Sequence, residues 1–91
     1  HDKARSQVIS YSDGAMSFSG MLRPAELREH GLVVAEDEDY DTISGFLMSE
    51  LEKIPEVGDQ VPIASGVLRV IRMDGRRVDR VKFEPKEVGD E

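Results

Sequence analysis

Residues 40–59 constrain the fold of this chain more than any other part of its sequence. Apolar residues recur in this segment at the spacing of an amphipathic helix, and a proline follows the last of them: Ile43, Phe46, Leu47, Leu51, Ile54 and then Pro55. Asp41 and Thr42 precede the run, where polar side chains commonly cap the free amides of a helix start. The pattern predicts a helix over about 43–53 that buries one of its sides.

Short runs of alternating apolar residues on both sides of this helix predict five strands: 8–11, 15–20, 61–63, 67–73 and 76–83. Turns that contain glycine join the first pair at 12–14 and the last pair at Asp74-Gly75. Pro24 favours the start of another helix, which we expect to end at Gly31. The element order predicts an α+β fold, in which an antiparallel sheet carries two helices packed on one face.

The length of 91 residues allows one small domain. The chain has three Phe, two Tyr and no Trp, so we expect a mostly aliphatic core onto which Leu32 and Val33 pack. We expect a single domain over 1–91, with an ordered core at about 6–85 and a frayed tail at 86–91. Because the chain begins with His and shows no signal-peptide pattern, we interpret it as a piece of a longer protein.

Composition excludes several classes of function. The absence of cysteine excludes disulfides, thiolate metal sites and cysteine nucleophiles. No apolar run approaches the roughly 20 residues that span a bilayer. The serines form no Gly-x-Ser-x-Gly motif, and no glycine-rich phosphate loop is present, so we expect no enzyme. A net charge of −7 argues against nucleic acid as a partner.

Charge is distributed unevenly along the chain. Residues 26–60 contain eleven acids and two bases, whereas residues 61–85 contain six bases and three acids. This polarity predicts docking between two copies or onto a charged partner, through an acidic loop at 36–41 and the basic residues Arg76, Arg77 and Arg80. The alternative interpretation is that both charged segments are solvated surfaces.

Two further groups of residues are candidates for ligand binding. Consecutive acids could hold a hard divalent cation through carboxylate oxygens: Glu36, Asp37, Glu38 and Asp39. A solvated acidic loop is the alternative. Tyr40, Asp41, Thr42 and Gly45 could line a cofactor site, although helix capping by Asp41 and Thr42 and core packing of Tyr40 explain the same residues. Gly45 inside the helix predicts the close approach of another backbone.

Together these motifs make the chain resemble the CorC/HlyC transporter-associated domain, found at the C-terminus of CorC-type Mg²⁺/Co²⁺ efflux proteins and hemolysin-like membrane proteins. The resemblance covers nearly the whole chain and is most specific in three motifs: Tyr-Asp-Thr-Ile-Ser-Gly at 40–45, Ile-Pro-Glu-Val-Gly-Asp at 54–59 and Met-Asp-Gly-Arg-Arg-Val at 73–78. Arg28, Ser44 and Phe46 depart from residues common in the family, and these departures concern packing.

The resemblance implies a fold similar to the transporter-associated half of FAD-binding (PCMH-like) folds. It implies a non-catalytic regulatory domain at the cytoplasmic face of the cell membrane that modulates Mg²⁺/Co²⁺ transport, alongside CBS domains and membrane helices of the parent protein. The alternative that it leaves open is a ligand sensor for FAD or an adenine nucleotide, with a pocket near Tyr40. FAD is implied by likeness of fold alone, and no catalytic residue or resident metal is implied.

Overall fold

The computed structural model describes residues 8–86, in which five strands and two helices follow the predicted order. The elements in chain order are β1 (Val8–Ser10), β2 (Met16–Ser19), α1 (Pro24–Arg28), α2 (Ile43–Leu51), β3 (Gln60–Ile63), β4 (Gly66–Asp74) and β5 (Arg77–Pro85). The predicted tail at 86–91 lies outside the described residues except for Lys86, whose amide donates to the Ser65 carbonyl at 2.8 Å.

All neighbouring strands are antiparallel, and the sheet has the order β1-β2-β5-β4-β3. Strand β5 links the N-terminal hairpin to the C-terminal strands within the sheet, because it pairs with β2 on one side and with β4 on the other. The pairing of β4 with β5 is irregular between Val70 and Met73. Two residues, rather than one, therefore separate the inward-facing Val70 and Met73 on β4, and two separate Val78 and Val81 on β5. This topology places the hairpin of β1 and β2 beside the C-terminal three strands.

One face of the sheet carries the hydrophobic core and both helices. Alternate residues of the strands point into this core, and they include Phe18, Val61, Leu68, Val70, Val78, Val81 and Phe83. The helices contribute Leu27 from α1 and Ile43, Phe46 and Leu47 from α2. The predicted α+β class, with two helices on one face of an antiparallel sheet, is confirmed. The residues between the inward positions lie on the other face, which the helices leave open.

Helix α2 begins as its sequence predicts, with every early amide satisfied. Thr42 is the N-cap, and its Oγ1 accepts a hydrogen bond from the Gly45 amide at 3.2 Å. The amides of Ile43 and Ser44 donate at 2.8 Å to carbonyls of the loop that follows β2, at Leu22 and Gly20. This start therefore fixes α2 against that loop, rather than leaving its amides free for a ligand.

The last hairpin differs from its prediction by one residue. Asp74 pairs with Arg77, so the two-residue turn consists of Gly75 and Arg76 rather than Asp74 and Gly75. Gly75 has a φ of 62°, which fits the first central position of a type II′ turn. The shift brings Arg76 to the tip of the hairpin.

The segment after α1 was predicted only in part. Leu32 is buried as expected, but Val33 is 58% exposed and Val34 takes the inward position instead. Burial alternates along 32–34, so Val33 faces solvent between two residues that face the core.

Candidate functional site

The hairpin tip between β4 and β5 projects two of the predicted interaction residues. Arg76 and Arg77 are exposed, and Arg77 lies 3.7 Å from the Asp74 carboxylate and 4.0 Å from the sulfur of Met21. Arg80 lies elsewhere, on the open face of the sheet, where its Nε donates to Ser17 Oγ at 3.0 Å. The structure therefore divides the predicted group of three arginines between two surfaces.

The acidic loop at 36–41 folds back on itself. The Asp37 carboxylate accepts the Asp39 amide at 2.9 Å, and the Asp37 carbonyl accepts the Tyr40 amide at 3.4 Å. Glu36 forms an ion pair with Arg28 of α1. Within residues 8–86, no group of three or more His, Asp or Glu side chains has an arrangement that could hold a metal ion. The predicted cation ligands at 36–39 are therefore not arranged around a common point that a metal ion could occupy.

Tyr40 closes one side of a cleft between the acidic loop and α1. Its hydroxyl donates to the Ala35 carbonyl at 2.9 Å, and its ring packs edge-on against Phe46 with centroids 5.7 Å apart. Burial, together with the negative charges of Asp37 and other nearby carboxylates, raises the pKa of Tyr40 above its usual range. The phenol therefore remains a neutral hydrogen-bond donor at physiological pH.

The cleft beside Tyr40 has a volume of about 230 Å³ and is lined by Arg23, Pro24, Ala25, Glu36, Asp37, Tyr40 and Asp41. Three of these side chains are carboxylates and one, Arg23, is a cation, so the lining has a formal charge of −2 and the cleft is acidic. It brings together two of the predicted cofactor residues, Tyr40 and Asp41, with part of the acidic loop. Thr42 does not line it, because its side chain caps α2.

Gly45 is required for a reason that differs from the prediction. A Cβ at this position would lie 2.7 Å from the Cβ of Tyr40, so the neighbour is a side chain that precedes the same helix rather than another backbone. Glycine at 45 therefore allows Tyr40 to pack against the start of α2.

Replacement of Thr42 by alanine should lower the free energy of unfolding by about 1 kcal/mol, because the Gly45 amide would lose its acceptor. Asp41→Ala is the matched control and should change stability by less than about 0.5 kcal/mol, since the Asp41 side chain is exposed beside the same helix start. Urea denaturation of both variants measures the difference. Equal losses would show that Thr42 is not the cap.

Four cationic side chains lie on the open face of the sheet, and we call this group the basic sheet face: Arg69, Arg72, Arg80 and Lys82. Two carboxylates on β5 partly neutralise it, since Glu84 lies 3.2 Å from an Arg69 nitrogen and Asp79 pairs with Arg72. Lys82 also lies 5.8 Å from the ring centroid of Tyr11, a cation–π distance.

The basic sheet face was not predicted, although part of its signal is present in the sequence. Sequence reasoning counted the bases of residues 61–85 without placing them on a face of the sheet. Alternation along β5 does place Arg80 and Lys82 on the same side, opposite Val81 and Phe83. The strand irregularity near Val70 breaks the alternation of β4, so Arg72 could not be assigned to this face from its spacing alone.

A second cleft of about 230 Å³ lies on the helical side of the molecule, beside the edge strand β3. It is mostly apolar, with lining residues Val33, Val34, Ala35, Phe46, Glu50, Pro62, Ile63 and Ala64. Separately, the helices within residues 8–86 are all too short or too polar to cross a membrane.

A family profile for the transporter associated domain (CorC_HlyC) matches residues 9–87, and this chain belongs to that family. Among curated relatives, the UPF0053 protein MT1890 of Mycobacterium tuberculosis is 34% identical over 95 residues, covering 91% of this chain. The UPF0053 protein YegH of Escherichia coli is 29% identical over 83 residues and covers 90%. The polyamine export protein of Escherichia coli is 30% identical over 78 residues and covers 86%.

The chain spans only 16% to 21% of the length of these relatives, so it is similar to one part of each of them. Solved structures share its fold. The CorC_HlyC domain of a Xylella fastidiosa hemolysin, solved in complex with Mg²⁺ and Mn²⁺, has a TM-score of 0.77 at 27% identity, with 89% of this chain and 99% of that chain covered. The transporter associated domain of a CBS domain protein from Porphyromonas gingivalis has a TM-score of 0.74 at 25% identity, with coverage of 89% and 99%.

Proposed function

We propose that this domain is a non-catalytic regulatory domain of a cation transport protein, and that it acts by docking against a second copy of itself. The observation that carries the proposal is that a single loop touches two oppositely charged surfaces, the basic hairpin tip and the acidic cleft. Membership of the transporter associated domain family supports the setting at a transport protein. In that setting the domain lies at the cytoplasmic face of the membrane, beside CBS domains and membrane helices.

The loop that follows β2 connects these two surfaces. Arg77 at the hairpin contacts Met21, and Arg23, two residues further along the same loop, lines the acidic cleft. The hairpin projects from the sheet, whereas the cleft is concave. Two copies related by a two-fold axis could therefore each insert a basic hairpin into the acidic cleft of the other.

Pairing of this kind would give the domain a means of regulation. If the domains pair in one state of the transport protein and separate in another, the free energy of pairing shifts the equilibrium toward the first state. We propose that the transported species is a cation, with Mg²⁺ or Co²⁺ as the specific candidates. The polyamine export protein among the relatives and the Mg²⁺ and Mn²⁺ bound by the Xylella domain support cationic cargo.

The alternative of a sensor for FAD or an adenine nucleotide has less support from the geometry. The only predicted pocket residues that come together, Tyr40 and Asp41, line a cleft that also contains Glu36 and Asp37. These carboxylates would repel the phosphates of either ligand. The volume of about 230 Å³ is also below the 300–1,000 Å³ typical of sites for drug-sized ligands, and FAD is larger still.

Charge reversal at the hairpin tests the self-docking. The wild-type domain should show concentration-dependent association in sedimentation velocity, and a wild-type domain that stays monomeric would contradict the proposal. The variant Arg76→Glu/Arg77→Glu should lose this association, because each acidic tip would meet an acidic cleft. The complementary variant Asp37→Lys/Asp41→Lys should lose association for the converse reason. An equimolar mixture of the two variants should recover it, because both pairs of contacts in the mixed dimer then join opposite charges.

The mixture is the decisive measurement of this set. Loss of association in each variant without recovery in the mixture would show that the two surfaces do not contact one another. Unchanged association of each double variant, measured by itself, would contradict the docking proposal. In the full transport protein, the same reversals should change transport rates if pairing regulates the transporter.

A further inference from the structure

We propose that the basic sheet face binds an acidic polypeptide segment of another protein or domain, in an extended conformation along β5 and β4. This inference concerns a surface separate from the hairpin tip and does not depend on self-docking. The supporting observation is repulsion between cationic side chains on paired strands of the sheet.

Like charges lie directly opposite one another at two neighbouring positions of the face. Lys82 on β5 is opposite Arg69 on β4, and Arg80 is opposite Arg72. Cross-strand pairs of equal charge destabilise a sheet. Glu84 contacts both members of the first pair, at 3.2 Å from Arg69 and 4.0 Å from Lys82, and Asp79 contacts Arg72. These two carboxylates screen the repulsion in part and leave an excess of two positive charges on the face. An anionic partner would relieve this repulsion.

The cations are partly fixed before any partner arrives. Arg80 is held by Ser17 of β2, whose side chain is buried at the floor of the face. Arg69 is held by Glu84, while its Nε is buried and has no hydrogen-bond partner among the described residues. Side chains that are already ordered lose less conformational entropy on binding.

Spacing on the face matches an extended chain. Arg80 and Lys82 are two residues apart on one strand, a separation of about 6.8 Å along the strand axis. A second extended chain repeats its side chains on one side at the same interval. A segment with Asp or Glu at alternate positions can therefore place successive carboxylates over successive cations.

The charge of the rest of the molecule favours a narrow partner over a broad anionic surface. The basic sheet face, with Asp79 and Glu84 included, has a formal charge of +2 in a chain of net charge −7, so the remainder of the chain carries −9. The four cations occupy two adjacent strands, about 5 Å apart. A membrane or a nucleic acid would extend beyond the basic sheet face and be repelled by the negative charge around it, whereas a single acidic segment would contact the face alone.

The test is an NMR titration of the ¹⁵N-labelled domain with the peptide Glu-Thr-Glu-Thr-Glu-Thr, with Gln-Thr-Gln-Thr-Gln-Thr as the uncharged control. The acidic peptide should shift the amide resonances of β5 and β4, and the control peptide should not. Raising the ionic strength from about 0.05 to about 0.5 M should abolish most of the shift. Shifts from both peptides, or from neither, would overturn the proposal.

Two variants of equal charge change locate the binding surface. Arg72→Gln/Lys82→Gln, at an exposed and a half-buried position of the face, should weaken binding of the acidic peptide about three- to tenfold. Arg76→Gln/Arg77→Gln at the hairpin should leave the shifts on β5 and β4 unchanged. Equal weakening by both variants would indicate general electrostatic attraction and contradict the proposal.

The same variants separate the two proposals and the two kinds of partner. Both proposals are supported if self-association depends on the hairpin and peptide binding depends on the basic sheet face. Loss of only one of these two results contradicts only the corresponding proposal. Vesicles of anionic lipid provide the competing occupant. Binding of such vesicles that is lost in Arg72→Gln/Lys82→Gln, with no binding of the peptide, would assign the face to a membrane instead.

Discussion

Replacement of Gly20 by alanine should lower the free energy of unfolding by about 3 kcal/mol, because there is no space for a methyl group at this position. A Cβ there would lie 2.0 Å from the carbonyl oxygen of Val78 and 2.8 Å from its carbonyl carbon. Both are backbone atoms of β5, so they cannot rotate away as the end of a flexible side chain would. Relief requires the loop after β2 to separate from β5.

That separation would break contacts beyond Gly20 itself. The Gly20 amide donates to the Asp79 carbonyl at 3.1 Å, and the Gly20 carbonyl accepts the Ser44 amide at the start of α2. The hydroxyl of Ser44 in turn accepts the Val78 amide at 2.9 Å. One methyl group is therefore expected to disturb a junction of β2, β5 and α2.

Urea denaturation of Gly20→Ala and of Gly31→Ala distinguishes this clash from the general cost of replacing a glycine. Gly31 has a φ of +86°, yet a Cβ there would meet no atom within 4 Å. Gly31→Ala should therefore cost only the backbone strain of the left-handed region, about 1 kcal/mol. A loss at Gly20 no larger than the loss at Gly31 would contradict the steric argument.

The fold was predictable from the sequence because its signals are local. The apolar spacing and Thr42 predicted α2 to within two residues, and alternation between glycine turns predicted the strands. The end of α2 was predicted at Lys53 from Pro55, but the helix stops at Leu51, where Glu52 takes a left-handed conformation with a φ of 58°. Glutamate does not favour the left-handed region, so residue type gives no signal for an end at this position.

The candidate surfaces were less predictable, because they depend on strand register. Arg80 was grouped with Arg76 and Arg77 by proximity in sequence, yet it is directed to Ser17, which is 63 residues away. The pairing of β2 with β5 that makes this contact carries no short-range signal. Charge counts along the chain therefore indicated that basic residues cluster, but not that they form two surfaces.

Phe18→Ala should lower the free energy of unfolding by about 3–5 kcal/mol, the cost of a large buried aromatic truncated to a methyl group. The Phe18 side chain is fully buried, and the residue lies between Val8 of β1 and Val81 of β5 in the sheet. A domain of this size has a stability of about 5 kcal/mol at the low end of the usual range, so the variant would retain little of it. Phe18→Leu is the matched control and should lose about 1 kcal/mol.

Amide hydrogen exchange of Phe18→Ala, measured residue by residue, would show which strands unfold together. Phe18 is adjacent to Ser17, so a β2 that detaches from β5 also releases Arg80 from the floor of the basic sheet face. If protection falls only in β1 and β2 while β3, β4 and β5 keep theirs, the two hairpins are separate cooperative units. Uniform loss of protection, together with a urea midpoint that falls at an unchanged slope, is the result we expect, because the core cluster that contains Phe18 also contains residues of both hairpins and of the helices.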